Sequence, residues 1–128
     1  MDPESISALA ERFFAAISRG DLAAVEACYT PDATIWHNYD QIDQARADNL
    51  KVLGWLVRTL PDVAYTEVRR SVVEDGFVQQ HVLRATAPGG PLVVPAMMRI
   101  ACAEHDGELR IARIEEYLDT GQLAVLRS

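Results

Sequence analysis

The first segment of the chain places apolar side chains at helical spacing. One face of a helix would carry Ile6, Leu9, Phe13, Ala16 and Ile17. Asp2 followed by Pro3 is a typical helix start, with a capping side chain and then proline at the first helical position. Gly20 is a typical helix end. The pattern therefore predicts an amphipathic helix that begins at Pro3 and ends at Gly20.

A short helix and a short strand are predicted next. Asp21 can cap a second helix that runs to about Ala27. The letters YTPDAT, residues 29–34, indicate a turn because proline and aspartate favour turns. The overlapping letters ATIWH, residues 33–37, indicate a strand because β-branched and aromatic residues dominate.

A third helix is predicted before Pro61, which stops it. Asp40 or Asp43 can cap its beginning. Its apolar stripe comprises Ile42, Leu53, Leu56, Val57 and Leu60. Arg46 and Asn49 lie near this stripe. Such a polar pair can line the mouth of a pocket or be exposed, and we favour the exposed interpretation.

After Pro61 the pattern changes to strands separated by hairpin signals. Glycine-containing turns are expected at residues 74–76, 88–91 and 105–107. They separate four runs, at roughly 62–74, 77–87, 92–104 and 108–118. Long consecutive strands with short turns form an antiparallel meander that twists and curls, and the helices must cover its concave side. The sequence therefore predicts a single α+β domain over residues 1–128, with a pocket between sheet and helices.

Alternation along the second of these runs separates an apolar face from a mixed one. The more apolar face carries Phe77, Gln79, His81, Leu83 and Ala85. Gln79 and His81 therefore point towards the predicted pocket. A lone histidine on such a face is, in general, more often a hydrogen-bonded core residue than a base. The sequence alone leaves both interpretations of His81 open.

The last run does not reveal which of its faces is inside. Ile114 and Glu116 share one face, and Glu115 and Tyr117 share the other. Both faces mix apolar and charged groups, and a slip of one residue exchanges them. Glu116 inside and Glu115 inside are therefore both compatible with the sequence.

Composition excludes several function classes. The chain has 12 basic and 19 acidic residues, a net charge of −7, which disfavours binding to nucleic acid. No apolar run approaches the roughly 20 residues needed to cross a bilayer, and the first residues do not resemble a secretory signal. The two cysteines, Cys28 and Cys102, show no metal-binding spacing and are expected to be reduced and buried. We therefore expect a cytoplasmic protein without membrane association, metal or nucleotide cofactor.

The segment RFFAAISRGDLAAVEACYTPDATIWHN, followed by a helix and by strands ending in RIEEYLDTGQL, resembles the nuclear transport factor 2-like superfamily. Its closest resemblance is to the SnoaL-like branch, with polyketide cyclases, steroid isomerases and limonene epoxide hydrolase. The resemblance covers essentially the whole chain. It implies a cone-shaped α+β fold whose interior binds a small hydrophobic molecule, often in a homodimer. It does not imply one reaction, because folds of this kind host many chemistries.

The resemblance also suggests individual site positions. The tyrosine of the steroid isomerases falls on Phe13 and their general base on His37, so neither group is retained. A tyrosine and an asparagine of limonene epoxide hydrolase fall on Trp36 and Asn38. That enzyme's Asp-Arg-Asp arrangement falls on His81, Gln79 and Glu116.

These residues give a first hypothesis about chemistry. His81 would be a general acid/base oriented by Glu116, and Asn38 would hold a water or a developing enolate. Further ligand contacts are expected from Trp36, His37, Gln79, Phe13, Ile114 and Met97. Trp36 is equally suited to core packing and Asn38 to a loop, and alternation with Trp36 can turn His37 outward. The alternatives to a cofactor-free isomerase, cyclase or hydrolase are a non-catalytic ligand-binding module and a dimeric accessory domain.

Overall fold

The computed structural model describes residues 1–127. Helices α1 to α3 span Pro3–Ser18, Leu22–Cys28 and Arg46–Thr59. Strands β1 to β6 span Tyr29–His37, Gln44–Ala45, Ala64–Val73, Gly76–Ala87, Gly90–His105 and Glu108–Leu118. A 3-10 helix, here called the C-terminal helix, covers Thr120–Arg127. Within residues 1–127, no helix has the length and apolar character needed to cross a membrane.

The first two helices begin as their sequence predicts. The Asp2 carboxylate accepts a hydrogen bond from the backbone N–H of Glu4 at 3.3 Å, and Pro3 is the first helical residue. The Asp21 carboxylate accepts from the N–H of Ala24 at 3.1 Å. Each side chain thus satisfies one of the N–H groups that a helix start leaves without an intrahelical partner.

Helix α3 starts later than predicted, and neither proposed aspartate caps it. Its N-cap is Ala45, which makes no side-chain capping bond, because strand β2 pairs with β1 immediately before it. Asp40 accepts from the N–H of Ile42 at 3.2 Å, and Asp43 pairs with Arg113. Ile42 is 60% exposed, so its placement on the apolar stripe was wrong.

The six strands form one sheet in the order β2-β1-β6-β5-β4-β3. Strands β3 to β6 are the predicted antiparallel meander. Strand β1 pairs in parallel with β6 and begins at Tyr29, inside the segment predicted to be a turn. The sheet is curved and unclosed and wraps on the N-terminal helices, which confirms the predicted α+β class.

A β-bulge in β6 decides which residues of that strand face inward. Ala101 lies opposite Arg113, whereas the next residue of β5, Cys102, lies opposite Ile111. Ala112 is therefore an extra residue in the ladder, and it changes the alternation. Ile111 and Ile114 are both buried, although their spacing would place them on opposite faces of a regular strand. Beyond the bulge, Glu116 faces the interior.

Two apolar clusters lie between the helices and the sheet. The larger one joins α1 to the sheet around Phe13, Tyr29, Phe77 and Ile100. The smaller one surrounds Leu60, and the C-terminal helix packs against it. Cys28 and Cys102 are free and buried, as expected from their apolar surroundings. The clusters do not fill the interior, and a cavity remains between them.

Candidate functional site

A cavity of about 280 Å³ lies between the concave face of the sheet, helices α1 and α3, and the C-terminal helix. Most of its wall is apolar, including Phe13, Ile35, Leu53, Leu56, Val94, Met98, Ile114 and Leu118. The side chains of the wall that carry polar atoms are Tyr29, His37, Tyr39, Asn49, Trp55, Tyr65, His81 and Glu116. An apolar wall with a few convergent polar groups is typical of small-molecule sites.

A histidine–carboxylate pair lies in this wall. Strands β1 and β6 run in parallel with His37 directly opposite Glu116, so both side chains point the same way. His37 Nε2 lies 3.0 Å from Glu116 Oε1, and the two side chains are only 14% and 16% exposed. The imidazole also stacks on Tyr39, with ring centroids 5.0 Å apart. The pair is therefore held from two sides and remains in contact with the cavity.

The negative charge of Glu116 affects the tyrosine hydroxyls in the cavity wall. Burial raises the pKa of the Tyr65 hydroxyl, and the Glu116 carboxylate raises it further. Burial also raises the pKa of Tyr29, with a smaller contribution from Glu116. Both hydroxyls therefore stay protonated near neutral pH and can donate hydrogen bonds.

His81 is almost fully buried, with 3% of its surface exposed. Its Nδ1 lies 2.9 Å from the side-chain nitrogen of Gln79, and its ring packs edge-on against Tyr65 and Phe14. Burial lowers the pKa of His81, the Glu116 charge opposes this effect, and the Arg70 charge reinforces it. We expected Glu116 to orient His81, but the carboxylate contacts His37, and the partner of His81 is Gln79.

Asn49 lines the cavity, so the exposed position that we favoured for it was wrong. It is 5% exposed, and its Oδ1 accepts a hydrogen bond from the Tyr29 hydroxyl at 2.7 Å. We expected Asn49 to be exposed because a polar residue beside an apolar helical stripe ordinarily faces water. The signal available was its spacing of four residues before Leu53, which also lines the cavity.

Comparisons with known proteins show the family and the fold of this chain. The SnoaL-like domain model matches residues 10–114. The chain belongs to the SnoaL-like domain family. No curated protein matches it.

Three solved structures illustrate the fold that this SnoaL-like domain shares. A proposed SnoaL-like polyketide cyclase from Shewanella denitrificans has a TM-score of 0.81 at 10% identity, with 96% of each chain covered. AclR, a proposed hydroxylase from Streptomyces galilaeus, gives 0.80 at 19%, covering 97% of this chain and 96% of AclR. IdmH, a proposed polyketide cyclase from Streptomyces antibioticus, gives 0.75 at 21%, covering 96% and 99%. At such identities these likenesses establish the fold.

The SnoaL-like domain brings together five of the nine predicted site residues. Cavity-lining positions are occupied by Phe13, His37, His81, Ile114 and Glu116. The other four, Trp36, Asn38, Gln79 and Met97, do not belong to the cavity wall.

Each of these four has a physical reason for its placement. Trp36 alternates with Ile35 and His37 and packs against the exposed Tyr117 on the outer face. Met97 is 43% exposed, whereas its neighbour Met98 faces the cavity. Gln79 is buried behind His81.

The carboxamide of Asn38 is occupied by backbone groups. Its Oδ1 accepts from the N–H of Leu118 at 3.1 Å, and its Nδ2 donates to the carbonyl of Leu118 at 3.2 Å. The predicted contact of Asn38 with water or enolate is therefore corrected to a clamp between the ends of β1 and β6. Within residues 1–127, no group of three or more His, Cys, Asp or Glu is arranged to hold a metal ion.

Proposed function

We propose that this protein is a cofactor-independent acid/base enzyme. Its substrate is a small, uncharged and largely apolar molecule with an acidic C–H next to a carbonyl. The observation that supports this proposal is the His37–Glu116 pair, 3.0 Å apart, in the wall of an apolar cavity. A carboxylate in such surroundings has few waters to compete for it, which favours proton abstraction from carbon.

Glu116 is the base in this proposal. Its Oε1 contacts His37, while its other oxygen has no hydrogen-bond partner within residues 1–127 and is free to meet a substrate proton. His37 fixes the direction of the carboxylate. When Glu116 takes the proton, negative charge moves to the substrate carbonyl oxygen. The Tyr65 hydroxyl and the His81 imidazole lie in the same wall and can donate to that oxygen.

The proton can then return in two ways. If Glu116 delivers it to another carbon of the enolate, the reaction is an isomerisation. If the enolate carbon instead attacks a second carbonyl of the same molecule, a ring closes, and the new alkoxide takes the proton. Both outcomes need only the residues named above.

The proposal can be tested without the natural substrate, by using nitrobenzisoxazole as a probe. A base removes its ring C–H, the N–O bond breaks, and a coloured phenolate forms. We expect the wild-type protein to accelerate this reaction above free acetate at equal carboxylate concentration. Glu116→Gln should lower kcat/KM on the order of a hundredfold or more, because the variant cannot accept the proton.

Glu115→Gln provides the matched control. Glu115 is the neighbouring residue on β6, but it points to the outer face and contacts Arg113 at 3.3 Å. Its variant should keep the wild-type rate. Three outcomes would each contradict the proposal. They are an equal loss of kcat/KM in both variants, an unchanged rate in Glu116→Gln, and no acceleration by the wild-type protein.

Two further parts of the proposal concern assembly and location. A homodimer through the outer sheet face is supported by the exposed apolar side chains of Met97 and Tyr117. Sedimentation that shows only monomer at micromolar concentration would contradict it. We also propose that the protein acts in the cytoplasm, and recovery in another cell fraction would contradict that.

A further inference from the structure

A line of hydrogen bonds connects the surface to His81. The Glu11 carboxylate, on α1, accepts from Arg70 Nη1 at 2.7 Å. Arg70 Nε donates to Gln79 Oε1 at 2.8 Å, and Gln79 Nε2 lies 2.9 Å from His81 Nδ1. The side chain of Glu11 is 75% exposed and that of Arg70 15%, whereas Gln79 and His81 are buried. These contacts therefore run in order from the solvent-exposed surface to the buried cavity wall.

The donors and acceptors of this line have only one consistent arrangement. Arginine can only donate, so the Gln79 atom facing Arg70 must be the amide oxygen. The amide nitrogen then faces His81, and it too can only donate. His81 Nδ1 must therefore be the acceptor and carries no proton. A neutral imidazole with a bare Nδ1 carries its proton on Nε2.

Other contacts hold the line in place. The Arg70 guanidinium lies 5.7 Å from the centre of the Phe77 ring, so it is fixed by stacking as well as by Glu11. Charged and titratable groups approach His81 from two strands, namely Glu116 on β6 and Arg70 and Tyr65 on β3. Helix α1 contributes the uncharged ring of Phe14.

We propose that Gln79 and Arg70 are positioning residues that hold His81 neutral, with its proton on Nε2 and directed to the cavity. His81 Nε2 has no hydrogen-bond partner within residues 1–127, and His81 lines the cavity. His81 is then a fixed donor and not a base, since its one free lone pair is used by Gln79. A ligand must place a hydrogen-bond acceptor there, such as a carbonyl oxygen. The use of this donor in catalysis rests on the proposed function, whereas the tautomer does not.

The tautomer can be read directly by NMR of ¹⁵N-labelled protein near neutral pH. The chain contains only three histidines, and His37 and His105 provide the other two signals. In the wild-type protein we expect His81 to show a protonated Nε2 and an unprotonated Nδ1. Gln79→Glu should exchange them, because a carboxylate accepts and therefore requires a proton on Nδ1. In Arg70→Met the carboxamide of Gln79 can rotate so that its oxygen and nitrogen exchange places. We therefore expect a mixture of both His81 tautomers.

Activity on nitrobenzisoxazole adds a second readout. In Gln79→Glu the donor facing the departing oxygen is lost, and kcat should fall on the order of a hundredfold while KM changes less. Arg70→Met should lie between this variant and the wild type. Circular dichroism establishes that each variant is folded, and Arg70→Met, at a partly exposed position, serves if Gln79→Glu does not fold.

The outcomes separate the two proposals. The positioning role of Gln79 and Arg70 would be overturned by either of two results. One is a wild-type His81 that is protonated on Nδ1, and the other is a His81 tautomer that changes in neither Gln79→Glu nor Arg70→Met. Loss of activity in Glu116→Gln together with either result would leave the proposed function standing. The expected tautomers with no effect of Glu116→Gln would instead overturn the proposed function alone.

Discussion

Two residues in the cavity wall stabilise the fold through a buried hydrogen bond. The Tyr29 hydroxyl donates to Asn49 Oδ1 at 2.7 Å, and both residues are buried. This bond connects β1 to α3 across the interior. Because neither group can reach bulk water, each depends on the other for its hydrogen bond.

Tyr29→Phe should therefore lower the free energy of unfolding by about 1–3 kcal/mol, since Asn49 loses its donor. Urea unfolding measures the change. Tyr117→Phe is the matched control, because Tyr117 is 57% exposed and its variant should change stability by less than about 0.5 kcal/mol. The double variant Tyr29→Phe/Asn49→Leu should recover part of the loss. Equal stability of the two single variants would contradict this account.

Among the elements, the ends of β1 and β6 hold the two side chains of the His37–Glu116 pair together. Asn38 directly follows His37, and its two hydrogen bonds to Leu118 hold that end of β1 against β6. The backbone N–H of Asn38 also donates to the carbonyl of Glu116 at 3.0 Å. The separation of His37 and Glu116 is thus fixed by the neighbouring residue.

Asn38→Ala should weaken both stability and activity. Loss of two partly buried hydrogen bonds should cost about 1–3 kcal/mol in urea unfolding. Activity on nitrobenzisoxazole should fall on the order of tenfold, because the His37–Glu116 pair loses its alignment. Gln80→Ala, at an exposed amide on β4, should leave both unchanged. Full activity in a destabilised Asn38→Ala would show that the clamp does not align the pair.

At the scale of elements, sequence patterns predicted most of the fold. Caps, apolar stripes and glycine turns act locally, so α1, α2 and the four-strand meander were predictable. The start of α3 was not, because a pairing of β2 with β1 displaced it. Nor was the inner face of β6, since the Ala112 bulge arises from pairing with β5. The same limit applies to His37, whose partner Glu116 depends on a parallel pairing that no local pattern reveals.

The charge distribution of the whole molecule limits which ligands can enter the cavity. The chain has a net charge of −7, and within the described residues no arginine or lysine lines the cavity. Glu116 is the carboxylate of the wall, so an anionic ligand would have to lose its hydration beside a like charge. This distribution favours uncharged ligands.

Two fluorescent dyes of related shape can test this selectivity. We expect uncharged phenylnaphthylamine to bind and to brighten, and anilinonaphthalenesulfonate to bind at least tenfold more weakly, because its sulfonate is repelled. Glu116→Gln should narrow the difference by weakening that repulsion, whereas Glu115→Gln should not. Equal affinities of the wild-type protein for both dyes would contradict the charge argument.

The parallel pairing of β1 with β6 has a consequence for the order of folding. β1 is synthesised early and β6 is the last strand, yet they are neighbours in the sheet. Pairing of segments so distant along the chain must overcome a large loop-closure entropy, so it is expected to be slow. The helices and the first hairpins can form while the ribosome is still extending the chain. The His37–Glu116 pair joins β1 to β6, so it can form only after β6 has been synthesised and paired with β1.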